Sequence, residues 1–229
     1  MDDQLAKQLM IESERLSEDD ASEWLSIEAL WHPYVALDDL EAQFRLAYYY
    51  LFCGFDEGPQ KRMEMEALLR RAAERSYPDA VYWLSRLHPI GTERDAVLLR
   101  AGELGSLEAQ RDLGALFAKG DWTGPRDSAR AAEWYRRAAE RGHPDAQYNL
   151  GFMFLLGEGV QTDPDEGLRW LRRSAEQGDE QSIRLLTDLY RNGMYGVAAD
   201  AVEAQLWAEI YSKTDLYQLR KQKWGAEGA

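Results

Sequence analysis

Residues 109–145 and 146–181 of this 229-residue chain are two versions of one sequence. The first reads AQRDLGALFAKGDWTGPRDSARAAEWYRRAAERGHPD and the second AQYNLGFMFLLGEGVQTDPDEGLRWLRRSAEQGDEQ, with Ala, Leu, Gly, Phe, Gly, Trp and an Ala-Glu pair in step. A unit of this length cannot bury its own apolar face, so successive copies must stack and share a continuous core. Function in such an array is expected on a surface rather than in a catalytic pocket.

The repeat extends in both directions. Ala109 to Ala146 is 37 residues and Ala146 to Ser182 is 36, with Gly193 standing where Gly157 stood, and Trp134, Trp170 and Trp207 mark the second halves. Ala80 opens a unit of 29 residues that has lost most of its middle loop, and Ala42 opens one of 38. The expected organisation is an acidic N-terminal helical cap over 1–41, then five units near 42–79, 80–108, 109–145, 146–181 and 182–213, the last degenerate. A C-terminal capping helix and tail are expected over 214–229.

Each unit reads as two helices. Leu113, Leu116 and Phe117, like Leu150, Met153 and Phe154, fall at spacings of three and four, which suits an amphipathic helix. Gly114 and Gly151 interrupt that pattern at a cost of about 1 kcal/mol each relative to Ala. Ala47 and Ser85 hold the same place, so the position asks for a small side chain, and close helix packing is the expected reason. Gly120 and Gly157 are expected to end first helices as left-handed caps. Gly142 and Gly178 should end second helices. Asp163, Pro164 and Glu166 read as N-cap, first helical residue and capping-box partner.

The pattern A-x-x-x-L-G-x-x-(F/Y)-x-x-G-x-G-V, followed by a D and by W-(Y/L)-R-R-(A/S)-A-E-x-G, resembles the Sel1-like repeat, a relative of the tetratricopeptide repeat. Residues 146–181 match nearly throughout, and the unit before it carries Trp122 and Thr123 in place of the second Gly and the Val. The resemblance implies an all-α fold, an α-α superhelix of about five helix-turn-helix repeats, acting as adaptor or scaffold for other proteins. Some members are secreted and lock each helix pair with paired cysteines. Here Cys53 stands alone, read as a small buried filler, and the expected location is the cytoplasm of a bacterium.

Charge is unevenly placed. Of the net −14, residues 1–41 hold −10 and the other 188 residues −4. That region is either a solvated cap or a docking surface for a basic partner. The same charge disfavours nucleic acid. Paired arginines at 70 and 71, 136 and 137, and 172 and 173 are accounted for by a solvated helix face. No stretch of eighteen apolar residues offers a membrane span, and no basic, apolar secretory head opens the chain.

By analogy with tetratricopeptide arrays, two rows of first-helix residues should face a concave groove. Three places before the small residue stand Phe44, Tyr82, Arg111, Tyr148 and Arg184, and one place after it Tyr48, Arg86, Phe152 and Asp188, with Ala115 between. Tyr, Phe and Arg suit a binding hot spot, although aromatics at helical spacing equally suit a core. Such a groove would hold a segment of another protein. No cofactor or metal is expected: His32, His88 and His143 are scattered, and no H-E-x-x-H, C-x-x-C, G-x-S-x-G, S-x-x-K or Walker loop occurs. The expected function is therefore a non-catalytic, monomeric binding protein. A dedicated inhibitor, such as an immunity protein neutralising a toxin, is the alternative, and a β-lactamase-like hydrolase a distant third. Two departures from the pattern stand out: His88-Pro89 where a first helix should finish, expected to alter a helix junction, and Trp122 in the loop DWTGPRD, expected to pack on its neighbour.

Overall fold

The computed structural model describes residues 21–53, 58–88, 91–120 and 125–213, with only the helical backbone for residues 21–27, Phe52 and Cys53. The expectations for residues 1–20, Pro89, Trp122, the tail 214–229 and the Cys53 side chain lie outside what is described. Among the described residues there are eleven helices and no strand. They belong to two compact units that divide after Ser106.

The first unit contains α1 (Ala21–Ala36), α2 (Leu40–Cys53), α3 (Pro59–Glu74), α4 (Pro78–Leu87) and α5 (Thr92–Leu104). Each packs against the next in sequence for all four successive pairs, as short connections dictate. Asp38, in left-handed conformation between α1 and α2, accepts bonds from Gln43, Arg71 and Arg75 at 2.7, 2.9 and 2.8 Å, tying that turn to the end of α3. The donors hold its carboxyl below the usual range, the Gln43 bond first. Lys61 on α3 meets Glu28 of α1 at 2.5 Å and the Tyr50 hydroxyl of α2 at 3.1 Å, linking three helices.

The second unit contains α6 (Leu107–Lys119), α7 (Ser128–Glu140), α8 (Pro144–Leu156), α9 (Pro164–Glu176), α10 (Glu180–Asn192) and α11 (Ala201–Ser212). Here the pairs α6/α7, α8/α9 and α10/α11 are the repeating hairpins. Buried Leu113, Phe117, Leu150, Phe154, Leu171, Ile183, Leu186 and Leu189 form the shared core, with Trp134, Trp170 and Trp207 buried in register on the second helices.

The repeated glycines act through packing. A Cβ on Gly114 would fall 2.6 Å from the Tyr135 ring, and one on Gly151 2.9 Å from the Gly167 carbonyl oxygen. Gly157 and Gly193 close α8 and α10 in left-handed conformation, and Gly120, with φ +78, follows α6. Gly142 and Gly178 lie one residue beyond the caps Arg141 and Gln177, with φ +97 and +87. Asp127, Asp163, Asp179 and Asp200 are N-caps whose side chains accept from the first turn. The expected capping box at α9 is half formed: Asp163 accepts from the Glu166 N–H at 2.9 Å, while the Glu166 side chain pairs with Arg169.

The paired arginines are not simply a solvated face. Arg137 lies over Trp134 and Arg173 over Trp170, at 4.3 and 4.8 Å from the ring centres, so the second arginine stacks on the tryptophan one turn earlier. The first arginine reaches onward to the next first helix: Arg136 covers Phe154 at 5.4 Å, and Arg172 covers Tyr190 at 5.8 Å while donating to its hydroxyl at 2.7 Å. One dipeptide thus fixes a rotamer within the hairpin and a contact between hairpins. In the first unit Arg70 pairs with Glu66 and Arg71 with Asp38 instead.

Candidate protein-binding surface

Rings on α2 and α4 form a connected strip. Tyr77, Phe44, Tyr48, Trp83 and Tyr82 follow one another at centroid separations of 5.2, 5.7, 5.5 and 5.3 Å. Two of the anticipated contact residues are inside it: Phe44 is 6% exposed and Tyr82 4%, so neither presents surface to a partner. The physical reason is a ring lying over each, Tyr48 and Tyr77 over Phe44, and Trp83 edge-on against Tyr82. Periodicity assigns a helix face but not what covers it. Tyr48, 39% exposed, and half-buried Trp83 carry the surface, with exposed Arg86 on the same short helix. Trp83, one place after Tyr82, lies outside both rows read from the sequence. Burial and the Glu41 carboxylate push the Tyr77 hydroxyl far above its ordinary value, so it is a permanent donor to Glu41.

In the second unit Arg111 on α6 is held by carboxylates, with Asp112 at 2.6 Å, Glu108 at 3.0 Å and, across the seam to α8, Asp145 at 3.9 Å. Glu108 also stands 3.4 Å from Nε2 of buried His143, the residue that opens α8. The close approach of His143, opposed by burial and aided by Arg111, brings Glu108 down to about 2. An open hollow of about 530 Å³ lies here, lined by Glu108, Arg111, Arg141, His143, Pro144 and Asp145 among others. Arg111 is thus a cross-helix tie, and its loss would leave three carboxylates facing one another.

Along one face of α8, Asp145, Tyr148, Phe152 and Leu156 follow at spacings of three and four. The Tyr148 and Phe152 rings are parallel, 1° apart in plane and 6.3 Å between centres, and Tyr195 meets Phe152 edge-on at 6.2 Å and 84°. Tyr148 and Phe152 are half-buried, while Leu156 and Tyr195 are 36% and 44% exposed. Burial, then the nearby Asp179 carboxylate, raises the Tyr148 hydroxyl above its usual value. Tyr195 comes from the loop after α10. The tyrosine between two glycines in RNGMYG was the available signal. On α10, exposed Arg184 lies 6.0 Å over the Tyr211 ring, and exposed Asp188 is 3.4 Å from Arg191.

No three His, Cys, Asp or Glu side chains among the described residues are grouped to hold a metal ion, and no helix among them is long and apolar enough to cross a membrane.

The family model described as Sel1 repeat matches residues 40–77, 107–143 and 144–179. These are the first, third and fourth of the units read from sequence, entered two residues earlier. A Sel1 repeat protein from Oxalobacter formigenes is 25% identical, with a TM-score of 0.74 over 92% of this chain and 87% of that one. An immunity protein from Pseudomonas aeruginosa shares the fold at 19% identity, with a TM-score of 0.68 over 94% of this chain and 83% of that one. The chitin synthase regulator SKT5 of Malassezia restricta is 33% identical over 163 residues, 64% of this chain and 11% of that protein. Among the curated relatives compared, the chain spans between 10% and 32% of their length.

Proposed function

This chain is a Sel1 repeat protein, and on that premise we propose that it is a non-catalytic adaptor holding a segment of a partner protein against its first-helix aromatics. The observation that carries the reading is the exposure of rings on those helices. Tyr48 and Trp83 in the first unit, and Tyr148, Phe152 and Tyr195 with Leu156 in the second, offer broad apolar area with polar edges, the composition of binding hot spots. The surrounding charges are mostly engaged within the protein, as Arg111 with its three carboxylates and Arg184 with Tyr211, so the rings are what remains to be contacted. A related chitin synthase regulator is in keeping with a regulatory partner, though it shares only a minor part of its length with this chain.

A second reading, a dedicated inhibitor working in the cytoplasm as a monomer, draws on the net charge of −14, which would steer a basic target toward it. The immunity protein adds a likeness of fold alone. Capture of partners by the tagged protein at low and high salt, with cross-link mapping, separates the readings. An adaptor gives cross-links on α2, α4, α8 and α10 that vanish in Tyr148→Ala, Phe152→Ala or Tyr48→Ala, Trp83→Ala. A stoichiometric partner insensitive to both double variants and lost in salt would overturn it in favour of the inhibitor.

A further inference from the structure

In the second unit several rings, most of them buried, carry a cation of the same chain over one face. Besides the four contacts made by the paired arginines, Arg130 lies 4.1 Å over Phe117 and Arg184 covers Tyr211. Among the partly exposed rings of this unit, Tyr148, Phe152 and Tyr195 have no cation over them from any described residue. They touch one another instead, two parallel and the third edge-on, and each is partly exposed.

Carboxylates stand on or at the start of α8 and α10. Asp145 lies one helical turn before Tyr148 on the same side of α8 and is half exposed. Asp179, the N-cap of α10, is near enough to act on the Tyr148 hydroxyl. Asp188, exposed, stands in α10 where Phe152 stands in α8, and its link to Arg191 at 3.4 Å is a surface pair of small worth. Faces of rings bordered by carboxylates favour an organic cation through both the ring quadrupole and charge.

Tyr195 has φ +51, a left-handed conformation that costs a side chain strain. Gly196, with φ +80, comes against Pro164 at the start of α9 as Gly159, with φ +71, comes against Ser128 at the start of α7, so Tyr195 is the extra residue of this longer loop. A left-handed position is therefore occupied by a half-exposed tyrosine whose ring completes the trio. Strain retained in this way is characteristic of functional positions.

We propose that the trio Tyr148, Phe152 and Tyr195 receives the guanidinium or ammonium group of an arginine or lysine from the partner protein, so that the segment held at α8 and α10 is basic. This rests on the adaptor reading and specifies its partner. The partner's cation takes the role that Arg136 or Arg172 plays on the chain's own rings, and Asp145, Asp179 and Asp188 select against acidic segments.

The test is NMR titration of the full chain at about 0.15 M salt, the physiological ionic strength, with N-acetyl-arginine-N-methylamide as probe and its norleucine analogue as neutral control. The arginine probe is expected to shift the ring resonances of Tyr148, Phe152 and Tyr195 saturably, and the norleucine probe to leave them. Tyr195→Gly suits the left-handed backbone and Phe152→Leu keeps apolar volume, so both fold. Each should weaken the arginine probe by about two- to fivefold. Equal shifts from both probes, no shifts from either, or unchanged binding in both variants would overturn the proposal. If a captured partner depends on Tyr148 and Phe152 while the arginine probe is ignored, the cation assignment falls and the adaptor stands. If the probe binds and no partner needs these rings, the adaptor reading falls instead.

Discussion

Replacing Gly151 by alanine tests the claim that the repeated glycine is there for helix contact. The added Cβ would meet the Gly167 carbonyl oxygen and Leu171 Cγ at 2.9 Å and the Leu171 N at 3.2 Å. Two of these are backbone atoms and Leu171 is fully buried, so no flexible side chain can move aside. Restoring ordinary contact distances of about 3.5 Å requires α9 to withdraw by roughly 0.5 Å along its seam with α8. Overpacking of this kind costs about 1–3 kcal/mol, with rigid backbone placing it toward the upper end. Against that, alanine gains about 1 kcal/mol of helix propensity over glycine. The balance is a loss of about 1–2 kcal/mol, read as a lower urea midpoint by far-UV circular dichroism and tryptophan fluorescence. Gly167→Ala meets the same seam from the other side, at 2.9 Å from the Gly151 carbonyl oxygen. Once one substitution has parted the helices the second should cost less, so the double variant is expected to lose less than the sum. A Gly151→Ala protein as stable as the parent, or more so, would refute the packing argument and leave the glycine without a structural reason.

Asp163→Ala removes the N-cap bond to the Glu166 N–H and should cost about 1 kcal/mol in the same urea assay, with no change in partner capture. Tyr195→Gly should leave stability about neutral, the edge contact with Phe152 lost against about 1 kcal/mol of relieved left-handed strain, while weakening binding. Glu108 has a lower value folded than unfolded, so the stability it contributes is complete above about pH 4.5 and disappears as the pH falls through about 2. Its partial exposure reduces that contribution to about 1 kcal/mol. The stability difference between the parent and Glu108→Gln should therefore shrink on acidification, and a difference that grew would show the sign to be wrong.

Much of the fold was legible because the repeat writes its structure several times. The cap glycines, the N-cap aspartates and the small residue at the helix seam recur, and each has one local physical cause: positive φ, an orphan N–H or a close approach. The candidate surface was less legible because exposure is decided by neighbours outside the repeat pattern. Tyr82 and Tyr148 hold the same place in their units, yet one is buried beside Trp83 and the other stands half open. Tyr195 belongs to a loop with no counterpart side chain in the preceding unit, and no period could have pointed to it. The arginine pairs were visible, but their meaning was not, since stacking on Trp134 and reaching Phe154 depend on the register between hairpins.

The seam at Gly151 and Gly167 has a mechanical consequence. Between α8 and α9 the chain comes backbone against backbone at Gly151 and Gly167, with the buried Leu155 and Leu171 filling the rest of the seam, so this hairpin behaves as a stiff plate. Between α6 and α7 the Tyr135 ring lies under Gly114, and a ring can tilt where a peptide cannot. A segment settling on the second unit therefore meets a surface of uneven compliance, firm where α8 presents Tyr148 and Phe152, and yielding at α6, where adjustments of fit can be taken up without disturbing the rings.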